Sequence, residues 1–377
     1  MPLPRPFPEG ARVLHVGPPK TGSTALQDAL HQARESLALQ GVDYVSRVRH
    51  EVIPARWVTG ALPDTPKWAW AEQRWNELVD AMRAGGRARK VYSSEYLADA
   101  TDEQVVRVVD AVGPEDTYVV ITLRPLVDIV PSQYQQYLQG GLTADYETWL
   151  RSTFDTPDDA ALGFWVRHRH DALVERWARV AGRDRVVVVA TNGRDFDAVP
   201  AAFERLLGLS RGTLVGRGVR SNRSLTWPEA EVMRRFNVEA QRVGLVDAKY
   251  ETLTKYAADT VKERVPGPDE PRIVTPPWAA KRADELGARF AIGIAQSGVR
   301  VIGDLDALAS RTPVASPARP PEDVDLDVAA LFAAGFVQAE RRLRQEVAER
   351  RARRTEPGAP EETHETGRSA QRARRTA

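Results

Sequence analysis

Apolar and polar positions follow two patterns along this chain, and together these patterns predict a repeated strand–helix unit. Short continuous apolar runs, typical of strands buried on both faces, occur at 13–16, 117–123 and 185–190. Stretches with apolar residues every three or four positions occur at 25–37, 68–83, 102–112, 164–180 and 199–207. The repeated order predicts an α/β fold in which a parallel β-sheet is flanked by helices. Residues 52–67, with three prolines, are predicted to be irregular.

A glycine-bounded loop follows the first predicted strand directly. Residues 17–22 read GPPKTG, and Ser23 and Thr24 then open an amphipathic helix. Strand, glycine loop and helix in this order place backbone N–H groups around a phosphate. The glycine spacing and Thr24 match a nucleotide-binding P-loop, but Ser23 replaces the usual lysine and Lys20 lies inside the loop. The loop therefore predicts a shorter anion than a triphosphate.

A second segment of interest follows the strand at 117–123, although an Arg-Pro pair is also a common way for a strand to end and a serine on a helix is ordinary. Arg124 comes directly after this strand, and Ser132 lies eight residues further on in a segment of helical character. An arginine fork makes charge-assisted hydrogen bonds to phosphate, and a hydroxyl adds a neutral donor. Pro131 falls inside the predicted helix, where it is tolerated in the first turn or introduces a kink.

A third candidate segment, KVYSSEY at residues 90–96, reads as a short strand with a polar end. Ligands of parallel α/β sheets gather at the carboxyl ends of the strands. Glu95, in this position, is therefore a candidate site residue. The alternative is that Glu95 caps the next helix or pairs with a surface arginine.

Together, these three segments resemble the sulfotransferase superfamily over about residues 13–209. The resemblance implies a P-loop type of α/β fold that binds 3′-phosphoadenosine-5′-phosphosulfate (PAPS) as co-substrate. It implies a 5′-phosphosulfate site formed by Lys20, Thr21, Gly22, Ser23 and Thr24. It further implies a 3′-phosphate site formed by Arg124, Ser132 and a late basic loop, in which the best candidate is Arg220, with Asn222 second.

The resemblance also implies a mechanism in which a sulfuryl group moves from PAPS to a hydroxyl or amine of an acceptor. Glu95 is then the general base, and Lys20 with the loop N–H groups neutralises charge on the leaving phosphate. Ser93 or Ser94 is expected to orient the acceptor or the sulfuryl group. An acidic base is similar to that of sugar-sulfating relatives, so a carbohydrate or glycolipid acceptor is favoured, with a phenol or small alcohol left open. No metal is expected.

Two other functions remain open on the sequence. The first is a P-loop kinase that uses ATP, which is disfavoured by Ser23 and by the lack of an evident Mg²⁺-binding aspartate after residue 123. The second is a non-catalytic nucleotide-binding protein on the same scaffold. The combination of Lys20 with Glu95 argues against the second.

Composition narrows the class of protein. The 53 basic and 52 acidic side chains give a net charge of +1, which argues against bulk nucleic-acid binding. With no cysteine among the 377 residues, disulfides and thiolate chemistry are excluded. Neither a signal-peptide core nor an apolar run of the roughly 20 residues needed to span a bilayer is evident, so we expect a cytoplasmic protein without stable membrane insertion.

The expected organisation is one α/β domain with a helical C-terminal extension. The α/β domain is predicted over 1–310, a proline-rich linker over 311–323, a charged helix over 324–354 and a disordered tail over 355–377. The histidines at 15, 168 and 170 are expected to be packing or solvated residues, not catalytic ones.

Overall fold

Six strands form a single sheet in the computed structural model, which describes residues 5–62, 68–156, 163–192, 195, 197–214, 223–247, 249–309 and 323–355. The strands are β1 Arg12–His15, β2 Val42–Tyr44, β3 Arg89–Ser93, β4 Thr117–Leu123, β5 Val186–Ala190 and β6 Arg300–Gly303. Their order across the sheet is β2-β3-β1-β4-β5-β6, and every neighbouring pair is parallel. The predicted α/β fold with a parallel sheet is confirmed.

Fourteen helices accompany the sheet within the described part of the chain. They are α1 Ser23–Gln32, α2 Arg34–Leu39, α3 Ile53–Val58, α4 Trp70–Arg83, α5 Asp102–Val112, α6 Leu126–Gln139, α7 Tyr146–Asp155, α8 Gly163–His168, α9 His170–Ala181, α10 Ala198–Leu207, α11 Trp227–Arg242, α12 Tyr250–Lys262, α13 Pro277–Ser297 and α14 Leu326–Thr355.

Alternate side chains of the central strands enter two different apolar cores, because successive residues of a strand point to opposite faces. On one face, Leu14 of β1 and Val119 of β4 pack with residues of α4, α5 and α9. On the other face, Val13 and Val120 pack with residues of α1 and α10. The valine-rich strands are therefore covered on both sides, which is why they read as continuous apolar runs.

A third core lies among helices alone. Buried side chains of α6, α7, α8, α11, α12 and α13 meet there, and α14 adds Val328 and Phe332 from its N-terminal part. The ring of Phe332 lies 5.2 Å from that of Phe236 on α11. The start of the charged C-terminal helix is thus part of the packed structure.

The structure corrects three details of the predicted elements. Helix α3 lies inside the stretch 52–67 that was expected to be irregular, with Pro54 in its first turn where proline is tolerated. The helix expected over 164–180 is divided, because α8 ends at His168 and α9 begins at His170. The short strands β2 and β6 were not predicted.

Within the part of the chain that the structure describes, every helix is either too short or too polar to span a bilayer.

Candidate active site

The loop between β1 and α1, residues 17–24, holds an unusual backbone at two positions, and we call this segment the anion loop. Lys20 has φ 71° and is the non-glycine residue with positive φ among those described. Such a conformation costs of order 1–3 kcal/mol and persists where the surroundings impose it, often at functional sites. Gly22, with φ 98°, precedes the first residue of α1, and no described side chain caps that helix. The first N–H groups of α1 therefore have no side-chain cap among the described residues.

Gly17 is required at the start of the anion loop by lack of space. A Cβ atom at this position would lie 2.5 Å from Ser23 Oγ and 2.9 Å from the His15 ring. The loop therefore folds tightly over the end of β1, and Ser23 Oγ points back toward the carbonyl of Gly17 at 3.5 Å.

A chain of buried hydrogen bonds beneath the anion loop connects it to the ends of β3 and β4. Thr21 Oγ1 donates to the Pro18 carbonyl at 2.8 Å, so it accepts from Thr122 Oγ1 at 2.9 Å. Thr122 Oγ1 in turn accepts from His15 Nε2 at 3.1 Å. His15 Nδ1 then accepts from Ser93 Oγ at 2.7 Å. Because the Pro18 carbonyl can only accept, it fixes the direction of the bonds from Thr21 to His15 Nε2, and in a neutral ring Nδ1 is then the acceptor.

The protonation state of His15 agrees with this direction. Complete burial lowers the pKa of His15 to about 3, so the ring is neutral and carries a single N–H. The hydrogen-bond chain places that proton on Nε2, which donates to Thr122. The expectation that His15 packs in the core is confirmed, and the structure adds that His15 ties three strands together.

Glu95 lies where β3 gives way to a 3₁₀ turn, Glu95–Asp99. Its Oε2 accepts a hydrogen bond from Gln27 Nε2 at 3.3 Å, and Gln27 Nε2 also lies 3.3 Å from both Ser93 O and Ser93 Oγ. Gln27 is buried on the second turn of α1. The helix that follows the anion loop thus also holds the carboxylate of Glu95.

The anion loop and Glu95 share one cleft of about 320 Å³ with α6 and α12. Its lining is mostly polar or charged. The cleft is lined by Pro19, Lys20, Gly22, Ser23, Thr24, Glu95, Tyr96, Gln136, Gln139, Glu251, Lys255, Asp259 and Lys262.

Positive charges from the two sides of the cleft act on one another. The pKa of Lys20 is lowered to about 8, chiefly because surrounding protein atoms displace water from its ammonium group. Lys262 and Lys255 act in the same direction, and the carboxylate of Glu95 opposes them. Because Lys20 is exposed to solvent when the whole residue is considered, the loss of hydration lowers its pKa less than full burial would. A bound anion would relieve the mutual repulsion of these lysines.

Arg223 fixes the end of α12 that carries Lys262. Its guanidinium donates to the carbonyls of Val261 at 2.9 Å and Lys262 at 3.0 Å, in the last turn of the helix, where carbonyls lack the regular donor four residues further on. The same guanidinium is paired at 2.7 Å with Glu229, a buried carboxylate of α11. Arg223 belongs to the basic segment that the sequence singled out, and its observed role is to cap a helix.

Arg124 contacts the anion loop, but neither Arg124 nor Ser132 is among the residues that line the cleft. Arg124 Nη1 donates to the carbonyl of Lys20 at 3.5 Å, and its Nε lies 3.5 Å from Asp128 Oδ2. The guanidinium thus contacts the loop backbone directly. Ser132 is half-buried on α6, one residue after Pro131.

Pro131 is accommodated inside α6 by a hydrogen bond from outside the helix. Proline has no N–H, so the carbonyl four residues earlier, that of Val127, loses its intrahelical donor. Thr275 Oγ1 donates to this carbonyl at 2.7 Å. The helix therefore continues through Pro131 to Gln139, and Ser132, Gln136 and Gln139 all lie in the part of α6 that follows the proline.

The predicted site residues are distributed as follows. Lys20, Gly22, Ser23, Thr24 and Glu95 line one cleft, whereas the Thr21 hydroxyl is turned into the buried chain beneath it. The Arg220 and Asn222 predictions fall outside the described residues, as do most of the predicted linker and tail.

The expectation that Ser93 or Ser94 orients the acceptor is wrong for both hydroxyls. The two serines are at most 1% exposed. Ser93 Oγ is used by His15 and Gln27, and Ser94 Oγ accepts from the N–H of Tyr96. Both hydroxyls are thus committed to holding the end of β3.

His168 and His170 are buried packing residues, which decides between the two alternatives left open on the sequence. Both are fully buried, and their ring centroids are 6.3 Å apart. Burial lowers the pKa of His170 to about 3 and that of His168 well below its ordinary value. Neither lines the cleft.

Sequence reasoning missed the contribution of α12 and that of Gln27 and His50. The side chains of α12 that line the cleft are spaced by four, four and three residues, which is one face of a helix. That spacing is readable in the sequence, but nothing local indicates that this face meets the anion loop. His50 lies in a loop 23 residues after Gln27, and their contact depends wholly on the fold.

No group of three or more histidine, cysteine, aspartate or glutamate side chains within the described ranges could hold a metal ion.

Comparison with known proteins gives one distant likeness. The chain is similar to a solved sulfotransferase from Alicyclobacillus acidocaldarius, with 18% identity, a TM-score of 0.39, and coverage of 64% of this chain and 98% of that chain. No family model matches the chain, and no curated protein matches it. An assignment of activity therefore depends on the residues of the chain itself.

Proposed function

We propose that this protein is a PAPS-dependent sulfotransferase that transfers a sulfuryl group to a hydroxyl or amine of a polar acceptor. The observation that carries the proposal is the meeting of the anion loop and Glu95 in one cleft. An anion-binding helix N-terminus and a carboxylate base at the end of a neighbouring strand are the two parts that such a transfer requires.

The residues of the anion loop would bind the 5′-phosphosulfate of the donor. N–H groups at the start of α1 and the ammonium of Lys20 would neutralise charge that develops on the leaving phosphate. The lowered pKa of Lys20, about 8, leaves it largely protonated at neutral pH, and a bound anion stabilises the charged form further. The inward position of Lys20 suits a short anion more than a triphosphate.

Glu95 would accept the proton of the attacking group. Its Oε2 is held by Gln27, and the remaining carboxylate lone pairs face the cleft with solvent access. A sulfuryl group passes in line between nucleophile and leaving phosphate, so catalysis depends mainly on positioning and charge stabilisation. Lys20 and Glu95, which follow the neighbouring strands β1 and β3, would provide this positioning and charge stabilisation.

Arg124 and Ser132 are assigned to the 3′-phosphate, with Arg220 as a further candidate. Arg124 already contacts the backbone of Lys20, so a phosphate bound to it would lie beside the anion loop. Its present partner is the half-buried Asp128, whose Oδ2 lies 3.5 Å from Arg124 Nε. A phosphate would compete with Asp128 for the guanidinium, because the ion pair at this distance is weak.

The lining of the cleft supports a carbohydrate or glycolipid head group as acceptor. Two amides, three carboxylates and three lysines surround a single aromatic ring, that of Tyr96. Such groups bind vicinal hydroxyls, and one ring provides a stacking face. A flat apolar phenol would leave most of these polar groups without partners, at a cost in binding free energy.

Calorimetric titration with 3′-phosphoadenosine-5′-phosphate (PAP), the desulfated donor, tests the proposal. We expect micromolar PAP binding that is weakened at least tenfold in Lys20→Ala and Arg124→Ala, roughly the worth of one charge-assisted hydrogen bond. Lys281→Ala, an exposed lysine of α13, is the matched control and should bind PAP like the parent. Binding of ATP with Mg²⁺ in place of PAP would overturn the proposal in favour of a kinase.

A further inference from the structure

A second set of hydrogen bonds leads away from Glu95 to the opposite side of α1. Gln27 Nε2 faces Glu95 Oε2 and the carbonyl oxygen of Ser93, both of which can only accept. The amide orientation of Gln27 is therefore fixed, with its nitrogen toward the active-site side. Its oxygen Oε1 then faces His50 Nδ1 at 2.8 Å.

The contacts of His50 fit its doubly protonated form, which burial disfavours by lowering the pKa of His50. Because Gln27 Oε1 can only accept, His50 Nδ1 must carry a proton. His50 Nε2 lies 3.2 Å from Asp28 Oδ1, and this contact is favourable only when Nε2 also carries a proton. Both nitrogens donate, so the geometry is that of the imidazolium ion. Arg49 pairs with the same carboxylate of Asp28.

We propose that Gln27 and His50 are positioning residues for Glu95, and that the proton on His50 Nδ1 keeps the amide nitrogen of Gln27 turned toward the Glu95 carboxylate. When His50 loses a proton, the carboxylate of Asp28 retains the Nε2–H tautomer. The lone pair on Nδ1 then faces Gln27 Oε1, which favours a flip of the amide. The flip presents Oε1 to the Glu95 carboxylate and repels it.

Charged groups from four segments surround His50 and set where this change occurs. Loss of hydration lowers the pKa of His50 most, and Asp28 of α1 opposes this. Arg49 of the same loop lowers the pKa, Glu95 raises it, and Lys255 of α12 lowers it. A bound anion near Lys255 would offset this positive charge and therefore raise the pKa of His50. Occupation of the cleft by an anion and retention of Glu95 in position are coupled through one proton.

The role of Glu95 as base rests on the proposed function, but the coupling itself does not. Carbon-13 spectra of the Glu95 side-chain carboxyl and nitrogen-15 spectra of the His50 ring measure it without turnover. We expect both nitrogens of His50 to be protonated at the acid end of the titration. The Glu95 signal should show an inflection at the pH at which His50 titrates, and saturating PAP should shift both inflections upward together.

Variants separate positioning from general structure. His50→Ala should abolish the Glu95 inflection, and Gln27→Leu should abolish it while His50 still titrates. His50→Gln keeps a donor that cannot titrate, so the Glu95 signal should hold its low-pH position throughout. His31→Ala is the control, because His31 lies on α1 with Gln27 but is hydrogen-bonded to Arg34. This variant should keep the inflection of the Glu95 signal.

The proposal would be overturned if, in the parent protein, the Glu95 signal showed no inflection at the pH at which His50 titrates. An inflection that survives in both His50→Ala and Gln27→Leu would also overturn it. Failure of PAP to bind would contradict the proposed function alone, because the inflection in the unliganded protein is measured independently. If the protein turns over PAPS, the basic limb of its kcat profile should follow His50 and disappear in His50→Gln.

Discussion

Protonation of buried histidines is expected to make this protein sensitive to mild acid. His15 and His170 are completely buried, and each has its pKa lowered from 6.5 to about 3. An unfolded chain binds a proton at each of these positions below pH 6.5, whereas the folded chain does not until about pH 3. The stability they provide is therefore present above pH 6.5 and is lost as the pH falls from 6.5 toward 3.

The size of the effect follows from linkage. Between pH 8 and pH 5, each of these two histidines shifts the free energy of unfolding by about 2 kcal/mol, so the pair lowers it by about 4 kcal/mol. His168, whose pKa is also lowered, adds to the same trend. Since a typical domain has only about 5–15 kcal/mol of stability, this loss should be large in a denaturation experiment.

Urea unfolding followed by tryptophan fluorescence at pH 8 and pH 5 measures this loss. His170→Leu removes one titrating ring that has no hydrogen-bond partner among the described residues and packs 5.8 Å from Phe290. This variant should reduce the difference between the two pH values by about 2 kcal/mol. Leu173→Ala, buried on the same helix, should lower stability equally at both pH values. An unchanged pH difference in His170→Leu would refute the reasoning.

Four further changes test the site and its supports. Thr122→Val leaves the buried His15 Nε2–H without an acceptor and should cost about 1–3 kcal/mol in thermal unfolding, whereas Thr122→Ser should cost less. Gly17→Ala forces a methyl group against Ser23 Oγ and should cost about 1–3 kcal/mol and weaken PAP binding in calorimetry. Lys20→Gly should be about 1 kcal/mol more stable than Lys20→Ala, because glycine adopts φ 71° without strain, while both variants lose PAP affinity. Arg223→Met exposes the uncapped end of α12 and should speed amide hydrogen exchange in its last turn, and unchanged exchange there would contradict the capping role.

Strands and helices with a regular pattern of burial could be predicted from the sequence. The predicted bounds of β4 and α5 are confirmed residue for residue, because a continuous apolar run and a clear helical period each leave one solution. The anion loop could be predicted because its glycines, its lysine and the helix that follows are consecutive in the sequence. Strands β2 and β6 were missed because segments of three and four residues at the sheet edges carry little pattern.

The division between α8 and α9 is a tertiary effect of a different kind. The sequence 164–180 keeps a helical period, but the two buried histidines on either side of Arg169 both enter the helical core, with ring centroids 6.3 Å apart. His168 packs on Phe164, 4.6 Å away, while His170 packs on Phe290 of α13. A break at residue 169 lets both rings be buried.

By itself, the sequence determined the parallel α/β architecture, the anion loop and the position of Glu95 after a strand, because each depends on residues close together in the chain. Only the tertiary structure decided what surrounds them. Lys255 and Lys262 reach the cleft because α12 packs on the helical core, and His50 reaches Gln27 because its loop folds back over α1. These contacts join distant segments through packing, and neither periodicity nor motif spacing encodes which faces will meet.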